Sequence, residues 1–182
     1  MRRRDMAEAS SIIIRDAVLA DTEAMLSIYA PYIEKTAITF EVEVPSIEEF
    51  QRRVRHTQEK YPWLVAFCND ELLAYAYLGE FKGRAAYAHS AETSIYVRMN
   101  ARGRGIGRAL YHSLEEKAHG MGLLNLNACI AYKDAEDEYL TDASVRFHEK
   151  MGYVRCAHFH QCARKFGHWY DMIWMEKLFD RR

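Results

Sequence analysis

Arg102-Gly103-Arg104-Gly105-Ile106-Gly107 decides how this chain reads. Three glycines fall within five residues, Arg102 precedes them, Arg104 stands between the first two, and Arg108 follows. The segment comes after residues 91–97, which read as a strand. It opens a helical pattern over about 104–119, in which Ile106, Leu110, Leu114 and Ala118 recur on one face. Glycines at a strand-to-helix turn let backbone N–H groups crowd around an anion, because no Cβ blocks the approach. The helix start adds unpaired donors and a favourable dipole. A Rossmann fingerprint would need glycine where Arg108 stands, and a Walker loop would need Gly-Lys-Ser/Thr, so neither applies. The competing reading is an ordinary turn with solvated arginines; three glycines framed by arginines favour a pyrophosphate site.

Working outward, Ile12-Ile13-Ile14 opens a strand. Asp21 is placed to cap a helix whose stripe is Met25, Ile28, Tyr29, Tyr32 and Ile33. Ser46 and Glu49 form a capping-box pattern for a second helix, with Ile47, Phe50 and Val54 inward. Segments 64–68 and 72–78 read as strands around the turn signal Asn69-Asp70. Residues 124–130 largely alternate and read as a strand; the acidic run 134–138 reads as a solvated loop. A short helix is expected over 141–151, ended by Gly152 at the position after its C-cap. Residues 153–178 then read as two strands joined at Lys165-Phe166-Gly167. Strands interspersed with helices predict one mixed sheet covered on its faces, an α/β or layered α+β domain. A single domain over 11–182 is expected, after a disordered or appended leader at 1–10.

The 182 residues suit one domain. With 49% hydrophobic and 28% charged residues, the composition is neither disordered nor membrane-like, and the apolar runs are too short to span a bilayer. No apolar stretch of signal-peptide length follows Met1-Arg2-Arg3-Arg4. A net charge of −1 argues against a dedicated nucleic-acid binder. Cys68, Cys129, Cys156 and Cys162 form no C-x-x-C pair and read as reduced thiols of a cytoplasmic protein.

Arg102-x-x-Gly105-x-Gly107 resembles the acetyl-CoA pyrophosphate motif of the GNAT acyltransferase superfamily. The resemblance extends through Tyr61-Pro62-Trp63-Leu64-Val65-Ala66, Ala74-Tyr75-Ala76-Tyr77, Phe81-Lys82-x-Arg84-x-Ala86-Tyr87, Ala91-Glu92-x-x-Ile95-Tyr96-Val97 and Ser144-Val145-Arg146-Phe147-His148-Glu149. In this order, over residues 12 to 178, the chain is similar to phosphinothricin acetyltransferases. The resemblance implies a GNAT-like fold, with a central mixed, strongly twisted sheet flanked by helices. It implies acetyl-CoA as co-substrate and the primary amine of a small amino acid or analogue as acceptor, of phosphinothricin or methionine sulfone/sulfoximine type. It also implies a homodimer, in line with the aromatic-rich stretch around Phe166, Trp169, Tyr170 and Trp174. Acetyl-CoA would then meet Ile95, Tyr96 and Val97 on the central strand, Arg102, Gly103, Arg104, Gly105, Ile106, Gly107 and Arg108 at the turn, and Thr141 and Ser144 near the last helix.

Amide formation from a thioester requires a deprotonated amine, a stabilised oxyanion and help for the departing thiolate. Taken alone, Glu92 reads as a strand-end carboxylate facing solvent; the resemblance makes it the general base. His148 alone reads as a satisfied core histidine; the resemblance puts it beside the thioester sulfur, as acid to the thiolate or part of a base relay. The oxyanion donor implied is a backbone N–H near Ile95 or Tyr96. Lys82, Arg84 and Tyr87 would hold the acceptor carboxylate, against a basic surface turn as the alternative, and Phe40 would wall the pocket, against plain core packing. Two departures stand out. Thr141 replaces an asparagine common among relatives, which leaves it as a possible N-cap, and 133–139 looks like an insertion.

Cys156, His158, His160 and Cys162 alternate. On a flat strand they would share one face at roughly 6.6 Å spacing, while zinc bonds are about 2.0–2.3 Å long. Two neighbours could chelate but four could not, so no metal is expected and a polar wall of a pocket or dimer surface is the reading. Two other functions compete: a GNAT enzyme acetylating a protein N-terminus or lysine, and a non-catalytic CoA-binding sensor. The cationic turn argues against the first, and the joint presence of Glu92 and His148 against the second.

Overall fold

The structure is a computed structural model and describes residues 12–179. The leader expected at 1–10 lies outside the described residues, as do 11 and 180–182. Strands β1 (Ile12–Asp16), β2 (Trp63–Cys68), β3 (Glu71–Glu80), β4 (Ser90–Val97), β5 (Asn125–Tyr132), β6 (Val154–Lys165) and β7 (His168–Leu178) form one sheet in the order β1-β2-β3-β4-β5-β7-β6. Helices α1 (Thr22–Lys35), α2 (Ile47–Gln58), α3 (Ile106–Gly120) and α4 (Ala143–Lys150) connect them. All neighbouring strands are antiparallel except β4 and β5, so the sheet is mixed, as expected.

Alternation along the strands divides the core. Leu64, Ala66, Leu78, Ala91 and Leu126 pack with Leu110 and Leu114 of α3. Trp63, Val65 and Tyr75 pack with Met25, Ile28 and Tyr29 of α1 and Phe50 and Val54 of α2. Neighbouring residues of β2 thus serve opposite faces, as the two-residue period requires.

Several local expectations change in detail. Asp21 does occupy the position before α1, but its carboxylate accepts from the Val18 N–H at 2.8 Å and from both Arg15 guanidinium nitrogens at 2.7 and 2.8 Å. It ties β1 to the turn before α1 rather than capping α1. Ser46 Oγ accepts from the Glu49 N–H at 3.2 Å, which is half of a capping box; the Glu49 carboxylate turns to Arg52 and Arg53 instead. Helix α4 begins at Ala143, where the N–H donates to Thr141 Oγ1 at 3.4 Å, and ends at Lys150, with Met151 as C-cap and Gly152 following at φ +87°. The acidic loop is not simply solvated. Asp137 accepts from Lys133 Nζ at 2.7 Å, from the Tyr139 and Leu140 N–H groups at 2.9 Å, and from Tyr170 Oη at 3.1 Å. One carboxylate organises the turn, a device composition does not reveal.

Candidate active site

Parallel pairing between β4 and β5 covers only Ser90–Glu92 against Asn125–Asn127. Both strands continue, to Val97 and Tyr132, without pairing to each other. They splay, and a cavity opens between Thr93–Tyr96 on one side and Ala128–Ala131 on the other, closed by Leu140, Ser144 and His148. Backbone groups that a continuous ladder would consume are released there.

The glycine turn lies where β4 leads into α3. Gly103 and Gly105 have φ +75° and +80°, left-handed values that a side chain would strain. Gly105 is the N-cap of α3, and no side chain among the described residues caps that helix. Its first-turn N–H groups thus remain as donors for an anion. Arg102, Arg104 and Arg108 are exposed around the turn, and the Arg102 guanidinium lies 5.0 Å over the Tyr32 ring. Two left-handed glycines, an uncapped helix start and three cations form a fitting cradle for a pyrophosphate. Gly107 differs: an added Cβ would meet Ile95, Val97 and Phe147 side chains at 3.5 Å, ordinary contact.

Residues of β4 alternate between the two sides of this opening. Ile95 and Val97 pack in the α3 core and Thr93 bonds Tyr111 of α3, whereas Tyr96 packs edge-on against Tyr29 and Tyr32 of α1 at 4.6 and 5.2 Å. Val97 N–H and C=O are both engaged by Tyr32 Oη, at 3.2 and 2.5 Å. By the same alternation, Ile95 turns its N–H toward the splay.

His148 is 4% exposed. Its Nδ1 lies 2.8 Å from the Ser144 carbonyl, which can only accept, so Nδ1 carries the proton. Its Nε2 lies 2.9 Å from Tyr111 Oη, which also bonds Thr93 Oγ1 at 2.8 Å. Burial pushes the His148 pKa down to about 4, partly offset by the Ser144 carbonyl. Glu92 points by alternation to the opposite, α1 side of β4. It is half-buried, and burial raises its pKa above the ordinary carboxylate value against the pull of Lys82. The structure therefore does not bring Glu92 and His148 together: the strand stands between them, and the splay is the passage.

Lys82, on the loop after β3, lies 5.3 Å over Phe81 and 5.8 Å over Trp174, on the Glu92 side. Arg84 is exposed on the same loop, and Tyr87 packs edge-on to Phe81 at 5.8 Å. Phe40 packs with Ala131, Leu140 and Tyr170, of which Ala131 and Leu140 line the splay and Phe40 itself does not. Ser144 lines the splay, while Thr141 is exposed before α4.

Three participants were not singled out from sequence. Tyr111 and Thr93 complete the His148 network, and Cys129 lines the opening from β5. A tyrosine beside Leu110 on the buried side of α3 was the one available signal. A second recess lies on the Glu92 side, lined by Tyr29, Tyr77 and Tyr96 with Arg53 and Glu41, which pair at 2.7 Å.

Residues 14–174 match the family model described as an acetyltransferase (GNAT) domain. The chain is 31% identical to a phosphinothricin N-acetyltransferase of Streptomyces coelicolor, over 94% of this chain and 99% of that one. It is 33% identical to an L-methionine sulfoximine/L-methionine sulfone acetyltransferase of Pseudomonas aeruginosa, over 93% and 96%. A GNAT phosphinothricin acetyltransferase from Sinorhizobium meliloti, solved in complex with acetyl-CoA, superposes with TM-score 0.83 at 29% identity, over 92% of this chain and 88% of that one. A splayed β4–β5 pair, an uncapped glycine turn at α3 and this span of similarity agree: the chain belongs to the GNAT family of N-acetyltransferases.

Proposed function

We propose that the protein transfers the acetyl group of acetyl-CoA to the primary amine of a small amino acid or amino-acid analogue, of the phosphinothricin or methionine sulfone/sulfoximine type. The observation that carries this reading is the splay itself, with the anion cradle of α3 on one side and the half-buried Glu92 on the other. The pyrophosphate rests on Arg102, Gly103, Arg104, Gly105, Ile106, Gly107 and Arg108. The pantetheine arm enters the splay along Ile95, Tyr96 and Val97, beside Thr141 and Ser144. The acceptor approaches from the Glu92 side, its carboxylate met by Lys82 and Arg84, with Tyr87 and Phe40 as walls.

Glu92 takes a proton from the ammonium, directly or through one water, and its raised pKa suits it to that task. The amine nitrogen then attacks the thioester carbonyl carbon. The oxyanion receives a backbone N–H near Ile95 or Tyr96, and collapse releases the thiolate of CoA. With its pKa near 4, His148 is neutral at pH 7 and is no imidazolium acid. Its Nε2 lone pair faces the Tyr111 hydroxyl at 2.9 Å, so the imidazole orients that hydroxyl beside the splay, and the thiolate leaves as the anion and takes the proton shed by the new amide nitrogen through water.

The reading extends to a single catalytic domain over 11–182 and a homodimer in the cytoplasm. Edge strand β6 and the side chains of Phe159 and Trp169, 49% and 55% exposed, support a self-association surface. Four free thiols fit a reducing compartment. Among the described residues, no helix is long and apolar enough to cross a membrane. A panel of free amino acids, their sulfone, sulfoximine and phosphinic analogues, and peptides, read by release of the CoA thiol, tests the proposal. Turnover confined to peptides, or none with any amine, would overturn it.

A further inference from the structure

The sequence expectation against a metal assumed that β6 is flat. It is not. Phe159 pairs with Met172 and Ala163 with Tyr170, so His160, Gln161 and Cys162 together stand against the single residue Asp171. Gln161 takes φ +46° to accommodate the excess. Bulges of this kind re-aim side chains near the edge of a sheet. Here the bulge breaks the four-residue alternation and gathers two of its members, His158 and His160, over a carboxylate from the neighbouring strand.

The Gln161 N–H donates to Asp171 Oδ1 at 2.7 Å and fixes the carboxylate. Oδ2 is left facing His158 Nε2 at 2.7 Å and His160 Nδ1 at 3.3 Å. The two imidazole rings lie 4.0 Å apart, and the Tyr132 ring packs at right angles against His158. One ligand atom from each of the three residues falls within 4.8 Å of the others. Two ligands at about 2.1 Å from a tetrahedral zinc ion are about 3.4 Å apart. The His160–Asp171 separation of 3.3 Å already matches, while the 2.7 Å His158–Asp171 contact has to lengthen by about 0.7 Å and the third separation, within 4.8 Å, to shorten by up to about 1.4 Å as the ion replaces the protons shared with Oδ2. The side chain of His160 is 74% exposed and that of His158 24%, so an ion has a route in and a fourth position open to water.

We propose that His158, His160 and Asp171 form a binding site for a divalent transition-metal ion of the zinc class, clamping β6 to β7. Two imidazoles and one carboxylate select zinc, nickel or copper over magnesium and calcium, which prefer oxygen ligands. The site is apart from the chemistry, since none of its three residues lines the splay. The role is structural: the ion staples an edge strand whose ladder is interrupted by the bulge. Catalysis does not pass through it, and the inference stands independently of the acceptor.

The test uses the untagged full chain, treated with a chelator and titrated with Co²⁺. Expected are visible ligand-field bands saturating at one ion per chain, without the intense thiolate charge-transfer absorption that Cys156 or Cys162 would add. Zn²⁺ should displace the Co²⁺, and Mg²⁺ or Ca²⁺ should not. His160→Ala removes an exposed side chain and leaves the fold intact by circular dichroism. It should weaken Zn²⁺ binding by more than about a hundredfold, since even outer-shell partners cost 10- to 100-fold. Asp171→Asn should do the same. Absence of a saturating band, or equal affinity in both variants, overturns the site.

Discussion

Tyr111 Oη and His148 Nε2 lie 2.9 Å apart, brought together from α3 and α4 across 37 positions of sequence. The contact orients an imidazole whose other nitrogen is already committed to the Ser144 carbonyl. The ring is thus fixed in one tautomer, neutral at physiological pH, with its lone pair toward a phenol. Burial also raises the Tyr111 pKa well above that of free tyrosine, so the phenol keeps its proton. A protonated phenol against a neutral imidazole keeps the buried contact uncharged, so no ion has to be desolvated to form it.

Replacing His148 by Ala should lower acetyl-transfer turnover by up to about a hundredfold, the cost of misplacing groups beside the reacting atoms. Acetyl-CoA affinity should stay within a few-fold. Tyr111→Phe should lower turnover less, by about tenfold, because Thr93 or water can still reach the imidazole. A merely structural tyrosine would change thermal stability and leave turnover per folded molecule at the wild-type value.

The two kinds of glycine in the turn should respond differently. Gly105→Val forces a branched side chain into φ +80° and crowds the anion cradle. It should weaken acetyl-CoA binding by at least about tenfold, given roughly 1–2 kcal/mol for left-handed backbone strain alone. Gly107→Ala adds a methyl at ordinary contact distance, so calorimetry should find affinity within a few-fold of wild type. Equal losses in both variants would mean that the turn serves the fold and not the ligand.

Arg84→Ala should raise KM for the amino-acid acceptor by about tenfold or more while KM for acetyl-CoA holds, since the proposed partner of Arg84 is the acceptor carboxylate. Arg84 is exposed, so its truncation leaves the core untouched and such a split reports on the acceptor. Parallel rises in both constants would place the residue outside the acceptor site.

The Arg15–Asp21 tie predicts an acid limit. The Arg15 guanidinium hydrogen-bonds the Asp21 carboxylate and lowers its pKa in the folded state, burial notwithstanding. The stabilisation is present above the unfolded carboxyl pKa of about 3.9 and is lost as pH falls through the lower folded value. Asp21→Asn should therefore destabilise the protein at pH 7 by about 1–3 kcal/mol, as removal of a charged hydrogen-bond partner does. The gap to wild type should narrow below about pH 4, read from denaturant midpoints.

Local patterns were legible because their causes are local. The glycine turn, the strands around Asn69-Asp70 and the hairpin at Lys165-Phe166-Gly167 each follow from a few neighbouring residues, and the structure places them accordingly. Glu92 and His148 were legible as candidates, but not their separation by β4. That depends on the parity of a strand and on where its parallel partner departs from it. The Tyr111 contact and the convergence of Asp171 with two histidines were hidden for a related reason. One needs the packing of two helices, and the other needs a bulge whose extra residues leave no mark in hydrophobic periodicity.

Glu92 carries the most decisive prediction. Its carboxylate is half-buried, and burial raises its pKa, with Lys82 pulling the other way. A raised pKa makes it a stronger base, yet it must be ionised to act. Turnover in the wild type should thus fall as pH drops through that raised value, and the fall should follow a single proton. Glu92→Gln keeps the shape and hydrogen-bonding capacity of the side chain but accepts no proton. The variant should lose about a hundred- to ten-thousand-fold in turnover at neutral pH, and the acidic limb should disappear with the group that caused it. Some acetyl transfer should survive, because holding amine and thioester together accelerates attack without a base. That residue should climb with pH, as bulk water delivers more of the acceptor already deprotonated. Raising pH should therefore narrow the deficit between variant and wild type. Lys82→Met is the companion measurement: without the cation that lowers the Glu92 pKa, the acidic limb should move to higher pH. If Glu92→Gln turns over at the wild-type rate at neutral pH, the ammonium loses its proton elsewhere, and the base is not on β4.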